Sequence, residues 1–236
     1  MSTEFVAIGI LWYVVFLLST TAHEASHALV AKMGGDLTAF HRGQVSLNPI
    51  PHIRREPFGM VLLPILSYAS GGWMMGWASA PYDPLWQLKH PRRAAWMSLA
   101  GPAANFALVL IAGIAIHLGI AAGAFQAPES ANFQRVVEAS SPGFAEGAAK
   151  FLSLLFSLNV LLGVFNLLPV PPLDGYSVLG IFLTDNGARR LEALRQRVRS
   201  FSFIGLLVCW QLFGKLYGPL FAFALRALYP TLHYGG

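Results

Sequence analysis

The sequence predicts an all-α polytopic membrane protein, a helical bundle of about 4–6 membrane segments with one re-entrant segment and a small extended or hairpin stretch after the first span. Three observations predict it. Apolar blocks of membrane-crossing length recur, the first being FVAIGILWYVVFLLSTTA, which carries no charged residue; about 20 apolar helical residues cross a bilayer. Charged residues make up 11% of the chain, against about 25% in soluble domains, which leaves no room for a large soluble domain. Basic residues lie in the stretches between the blocks, where Lys and Arg orient spans. That distribution accounts for the net charge of +5 and argues against nucleic acid as a partner. The lipid bilayer is the expected surrounding.

The first span covers about 5–31. The MSTE ahead of it has no Lys or Arg, and its far end carries HEASH rather than a cleavage site, so it reads as a retained span and not a signal peptide. The following TAFHRGQVSL alternates in polarity and suggests extended or hairpin structure. A second apolar segment, 58–78, is broken by Pro64 and by Gly71 and Gly72. Basic loops flank it on both sides: Lys32, Arg42, Arg54 and Arg55 before, Lys89, Arg92 and Arg93 after. A complete span would leave one of these loops on the wrong side of the membrane; a segment that turns back keeps both inside. The turning segment fits the charges better, and a full span with one violating loop is the alternative.

Span three runs over 94–122. The loop 123–149 holds Arg135 against Glu129, Glu138 and Glu146 and reads as outside. Span four covers 151–168. The stretch 185–199, with Arg189, Arg190, Arg195, Arg197 and Arg199, reads as an inner, interfacial basic helix on anionic lipid. A last apolar region, 200–228, is an accessory span interrupted by Lys215. The whole, 1–236, reads as one domain with a core over 5–180. The single cysteine, Cys209, has no internal disulfide partner.

HEASH at 23–27 fits H-E-x-x-H. Residues i and i+4 share one helix face, so His23 and His27 can bind one metal ion while Glu24 takes a proton from water. Ionisable residues inside a span are costly and functional by default. A catalytic zinc site usually takes a third protein ligand. His41, His52 and His90 lie in loops, His117 lies on an apolar face and His233 lies near the C-terminus, so none is a strong candidate. Asp174 in NLLPVPPLDG is stronger. Pro169, Pro171 and Pro172 cannot continue a helix, so span four unwinds and Asp174 can turn inward, with Gly175 allowing the turn. The plain alternative is a Pro-rich loop in which Asp174 caps the next helix. His23, His27 and Asp174 then fall near the inner ends of spans one and four.

HEASH together with NLLPVPPLDG resembles the site-2 protease family of intramembrane zinc metalloproteases, with its H-E-x-x-H and N-x-x-P-x-P-x-L-D-G signatures. GPAAN at 101–105 looks like that family's G-P-x-x-N element. The resemblance covers roughly 5–180, and an extra proline stands at the variable place of the second motif. It implies one zinc per chain held by His23, His27 and Asp174, Glu24 as general base, and Asn166 positioning substrate or stabilising the oxyanion. Read alone, Gly101, Ala103 and Ala104 are small residues for close helix packing, with Asn105 able to reach the site region. No PDZ-like insertion or CBS-like tail is visible, so the expectation is the small bacterial or archaeal type, multi-pass in the plasma membrane with its site near the cytoplasmic side. The expected function is hydrolysis of a peptide bond in or near a transmembrane segment of another protein, with exposed backbone at 165–172 pairing with an extended substrate. The alternative is a non-catalytic membrane metal-binding or transport protein. Polar residues clustered at one depth favour a site over a path, and the presence of Glu24 argues against a protease-like binder that does not cut.

Overall fold

The computed structural model describes residues 2–231, apart from the side chains of Arg199, Ser202, Phe203 and Leu212. Helix α1 spans Thr3–Gly34. Ser2 caps it by accepting the Phe5 N–H at 3.2 Å. Gly35 ends it at φ 99°, returning its N–H to the carbonyls of Ala31 and Lys32.

The alternating stretch that follows is not a hairpin. It forms a short helix, α2 (Thr38–His41), and turns that lead into a second, α3 (Pro49–Arg55). Capping chemistry outweighs the alternation here. Asp36 Oδ1 accepts the Thr38 N–H, and Asn48 accepts the Ile50 N–H with Pro49 in the first helical turn.

A π-helical turn, Phe58–Leu62, leads into α4 (Leu63–Gly71). Helix α4 stops at Gly72 with φ 65°, a left-handed conformation that glycine adopts without strain. The chain then returns through 73–83 without regular structure. The Trp77 N–H donates to the Gly59 carbonyl at 3.1 Å, so the two ends of the segment meet. Two glycines make this contact possible: a Cβ on Gly76 would strike the Gly59 oxygen, and one on Gly59 the Trp77 oxygen. The segment therefore folds back on itself, the shape that the flanking charges favour.

Helix α5 (Pro84–Lys89) is capped by Asp83, and α6 spans Pro91–Ala121 with Pro102 inside it. The sheet lies in the loop between α6 and the next helix and not after the first span: β1 (Phe125–Gln126) pairs antiparallel with β2 (Glu138–Ala139). Then come α7 (Phe144–Asn166), α8 (Asp174–Val178), a 3-10 turn over Leu179–Phe182, α9 (Asp185–Arg197), and α10 (Ser202–Leu228). Helix α10 bends by 50° between Gln211 and Phe213. By length and composition α1, α6 and α7 can each cross a membrane, and α10 makes a fourth if its two halves form one span.

The core lies where α1, α6 and α7 meet. Trp12, Val15 and Phe16 pack there with Ala112, Ile116, Leu154, Leu155 and Leu158. Trp12 also stacks on Phe133, 5.4 Å between ring centroids, and meets Trp73 at 5.3 Å, tying the loop after α6 and the returning limb to α1. Ile10 and Val14 of α1 and Leu110, Ile111 and Ile114 of α6 stay exposed, an apolar exterior that suits hydrocarbon. Helix α9 presents Arg190 and Arg197 outward, while its other face docks on protein. Gln87 Nε2 donates to the buried Glu192 at 2.9 Å, and Arg195 donates to the Tyr82 hydroxyl at 2.6 Å.

Candidate metal centre

The site forms at the C-terminal end of α1, the N-terminal end of α6 and the start of α8. These ends coincide because α6 runs back along α1 and α7 returns along both. His23, Glu24 and His27 are all buried, at 7%, 8% and 8% exposure. His23 Nε2 and His27 Nε2 lie 3.0 Å apart. Asp174 Oδ2 lies 3.1 Å from the first and 3.3 Å from the second. The prolines do the work the sequence suggested. Helix α7 ends at Asn166, turns fill 167–173, and Asp174 opens α8 facing the two imidazoles. Gly175 must be glycine, since a Cβ would overlap the backbone of Leu167 and Leu168.

The ring orientations are fixed from behind. His27 Nδ1 lies 2.7 Å from the Met97 carbonyl. A carbonyl only accepts, so Nδ1 carries the hydrogen and Nε2 presents a lone pair. Pro102 has no N–H for the Ser98 carbonyl, which loosens the helical turn beside Met97. His23 Nδ1 lies 2.6 Å from Asn105 Oδ1, giving His23 the same arrangement. Three acceptors thus converge on one point.

That arrangement fits a zinc ion. Tetrahedral bonds of 2.0–2.1 Å give ligand-to-ligand edges of about 3.3–3.4 Å, and the three edges here are 3.0–3.3 Å. Gly101 keeps the flank of the nitrogen pair open: a Cβ there would sit 2.5 Å from His23 Nε2 and closer still to His27 Nε2. Glu24 places a carboxylate oxygen within 4.8 Å of both imidazoles. It has no hydrogen bond or ion pair among the described residues, so its oxygens are free for a water.

A sequence profile of peptidase family M50 matches residues 11–210. The chain belongs to peptidase family M50. This is the site-2 protease family that its motifs resemble, and the chain is a membrane-associated metalloprotease of it. It is 34% identical over 196 residues to "Putative zinc metalloprotease YwhC" of Bacillus subtilis, covering 83% of this chain and 77% of that protein. It is 31% identical over 194 residues to "Putative zinc metalloprotease Rip2" of Mycolicibacterium smegmatis and 33% over 193 residues to the protein of that name in Mycobacterium tuberculosis. Those matches cover 82% of this chain and 65% and 63% of the two Rip2 proteins, just under two thirds of each. No solved structure gives a significant match.

Of the GPAAN element, Asn105 reaches the M50 site as the sequence allowed, and residues outside the motifs stand behind it. Gly101 and Asn105 of GPAAN touch the imidazoles directly, so this element does more than pack helices. Met97, Asn159 and Ser19 stand behind them. Asn166 ends α7, where its Nδ2 donates to the Leu162 carbonyl at 3.0 Å. Among the described residues it has no hydrogen bond to His23, Glu24, His27 or Asp174. His52 binds the Ser46 carbonyl and His117 faces the Tyr229 ring, so both serve elsewhere. His233 lies outside the described residues.

The stretch 165–172 does not offer a free strand edge. The N–H groups of Leu167, Leu168 and Val170 donate within the turn, as does that of Leu173 just beyond it. Prolines 169, 171 and 172 have none.

Proposed function

We propose that this M50 peptidase is an intramembrane zinc endopeptidase that hydrolyses a peptide bond in or beside a transmembrane segment of another membrane protein. One zinc per chain is held by His23, His27 and Asp174. The observation that carries this reading is the convergence of three acceptors at 3.0–3.3 Å beside an unpartnered Glu24, buried where three apolar helices meet. When bound, zinc supplies Lewis-acid polarisation of the scissile carbonyl and lowers the pKa of water to about 7. Glu24 takes the proton from the attacking water and passes it to the leaving amine. Met97 and Asn105 hold the imidazoles in register throughout.

Asn166 would have to exchange its bond to Leu162 for the substrate carbonyl. Backbone pairing with an extended substrate moves to the limb after Gly72. There the N–H groups of Met74, Gly76 and Ala78 have no partner among the described residues, which suits strand addition. An extended substrate must first unwind, so segments with Gly, Pro or Asn near the cut are preferred; cleavage indifferent to these residues would count against the scheme. The basic loops beside α1, α5 and α9 favour the cytoplasmic side of the plasma membrane for the site.

The deciding experiment measures zinc per chain in detergent-purified wild type and Asp174→Ala. About one zinc, largely lost in the variant, is expected. A Glu24→Gln protein should then keep its zinc while cleavage of a membrane-embedded substrate falls by about 10²–10⁴. Zinc retained without Asp174 would break the ligand set and favour the non-catalytic metal-binding alternative.

A further inference from the structure

Behind His23 lies a row of polar side chains of which the mechanism uses only the first, Asn105. His23 Nδ1 meets Asn105 Oδ1 at 2.6 Å, and Asn105 Nδ2 meets Asn159 Oδ1 at 2.8 Å. Asn159 Nδ2 meets both Ser19 Oγ and the Leu155 carbonyl at 2.8 Å. Ser19 Oγ meets the Val15 carbonyl at 2.7 Å. Ser19, Asn105 and Asn159 are each fully buried.

Two backbone carbonyls decide the direction of every bond in this row. The Val15 carbonyl only accepts, so Ser19 donates its one hydrogen there and must accept from Asn159. The Leu155 carbonyl likewise requires the amide nitrogen of Asn159. Asn159 therefore turns its oxygen to Asn105, which must answer with nitrogen. That leaves the Asn105 oxygen for His23, whose Nδ1 must carry the hydrogen. Turning over either amide would set acceptor against acceptor in a buried site, at a cost of about 1–3 kcal/mol for each group left unsatisfied.

We infer that Ser19, Asn159 and Asn105 form a one-way hydrogen-bond relay that keeps a hydrogen on His23 Nδ1, so that Nε2 is the nitrogen left to face the metal position. The relay rests on the proposed metal site for its purpose, though not for its direction. Asn159 and Ser19 are positioning residues: they act on the metal through Asn105 and His23 and touch neither substrate nor ion. Partners of this kind behind a metal-binding histidine typically change metal affinity about 10–100-fold.

The test uses the full chain in lipid, labelled on its histidine nitrogens and stripped of metal with a chelator, with His23→Gln assigning the His23 signals. Nuclear magnetic resonance should find wild-type His23 protonated on Nδ1. In Asn159→Leu, Asn105 is free to turn over. His23 should then populate the Nε2–H form, and zinc affinity, read by chelator competition, should fall about 10–100-fold. The double variant Asn105→Asp/Asn159→Leu should restore both, because a carboxylate accepts whichever way it is turned. A purely structural role for Asn159 would not be rescued in this way.

His23 keeping its Nδ1–H in Asn159→Leu, or no rescue in the double variant, would overturn the relay. Should Asn159→Leu fail to fold, Asn105→Leu against Asn105→Asp carries the same comparison, and equal tautomers in that pair would overturn it. Wild type in the Nδ1–H form that takes up no zinc would refute the metal site and leave the relay standing.

Discussion

Replacing Gly101 with alanine adds one methyl group at the point where the metal reading is most exposed. The added Cβ would stand 2.5 Å from His23 Nε2 and 2.6 Å from His23 Cε1, and closer still to His27 Nε2. Real Cβ contacts do not fall below 3.0 Å, so His23 must retreat by at least about 0.5 Å, which is the tolerance within which a working site has to be held. Any point 2.0–2.1 Å from two nitrogens that are 3.0 Å apart also lies within about 3.4 Å of that Cβ. The methyl group therefore crowds the imidazoles or the ion. Overpacking of this kind costs about 1–3 kcal/mol, which is about 5- to 150-fold in zinc affinity if it all falls on binding.

Helix propensity cannot be blamed for a loss, because alanine favours the interior of α6 by about 1 kcal/mol over glycine. Gly147→Ala in α7 is the matched control, since its Cβ meets nothing within 4 Å. Zinc affinity by chelator competition and cleavage of a membrane-embedded substrate are the readouts. Gly101→Ala with wild-type affinity and wild-type cleavage would refute the placement of the ion.

Gly76→Ala should destabilise the folded-back segment by about 1–3 kcal/mol through its clash with the Gly59 carbonyl, whereas Gly71→Ala, with open space around it, should leave thermal unfolding in detergent unchanged; equal midpoints for the two would remove the close glycine contact. Asn166→Ala should lower cleavage without loss of zinc, and unaltered cleavage would confine Asn166 to its bond with Leu162. Chelation should lower the unfolding midpoint of wild type more than that of Asp174→Ala, because a bound ion stabilises only the protein able to hold it. An equal shift would separate the ion from the site.

What the sequence revealed and what it concealed divide along a physical line. His23 and His27 were legible because their geometry is local: four residues on one helix bring two imidazoles together whatever lies around them. Asp174 was legible through its prolines, whose effect on span four is also local. The two basic loops around 58–78 pointed to a segment that folds back, because charge sidedness survives without coordinates. The hairpin reading of 38–47 failed because two-residue alternation is a weak signal beside an Asn48–Pro49 helix start. The strand pair gave no signal at all, as Phe125–Gln126 and Glu138–Ala139 are too short to carry a pattern.

The supporting residues were hidden for a different reason. Gly101 reads as a packing glycine and Asn159 as one polar residue in an apolar helix, and nothing in either segment names its partner on another helix. Yet hydrocarbon leaves few choices. An amide buried in a span must find a donor or acceptor inside the protein. That pressure favours pairing of Ser19, Asn105 and Asn159, and only three-dimensional placement could reveal that their network ends on His23. The same constraint makes the network directional. In water either amide could turn over and exchange its partners for solvent, but here the Val15 and Leu155 carbonyls admit one orientation. A membrane interior thus turns ordinary serine and asparagine side chains into a device that sets a tautomer, and the apolar surroundings that make the polar residues costly also make them specific.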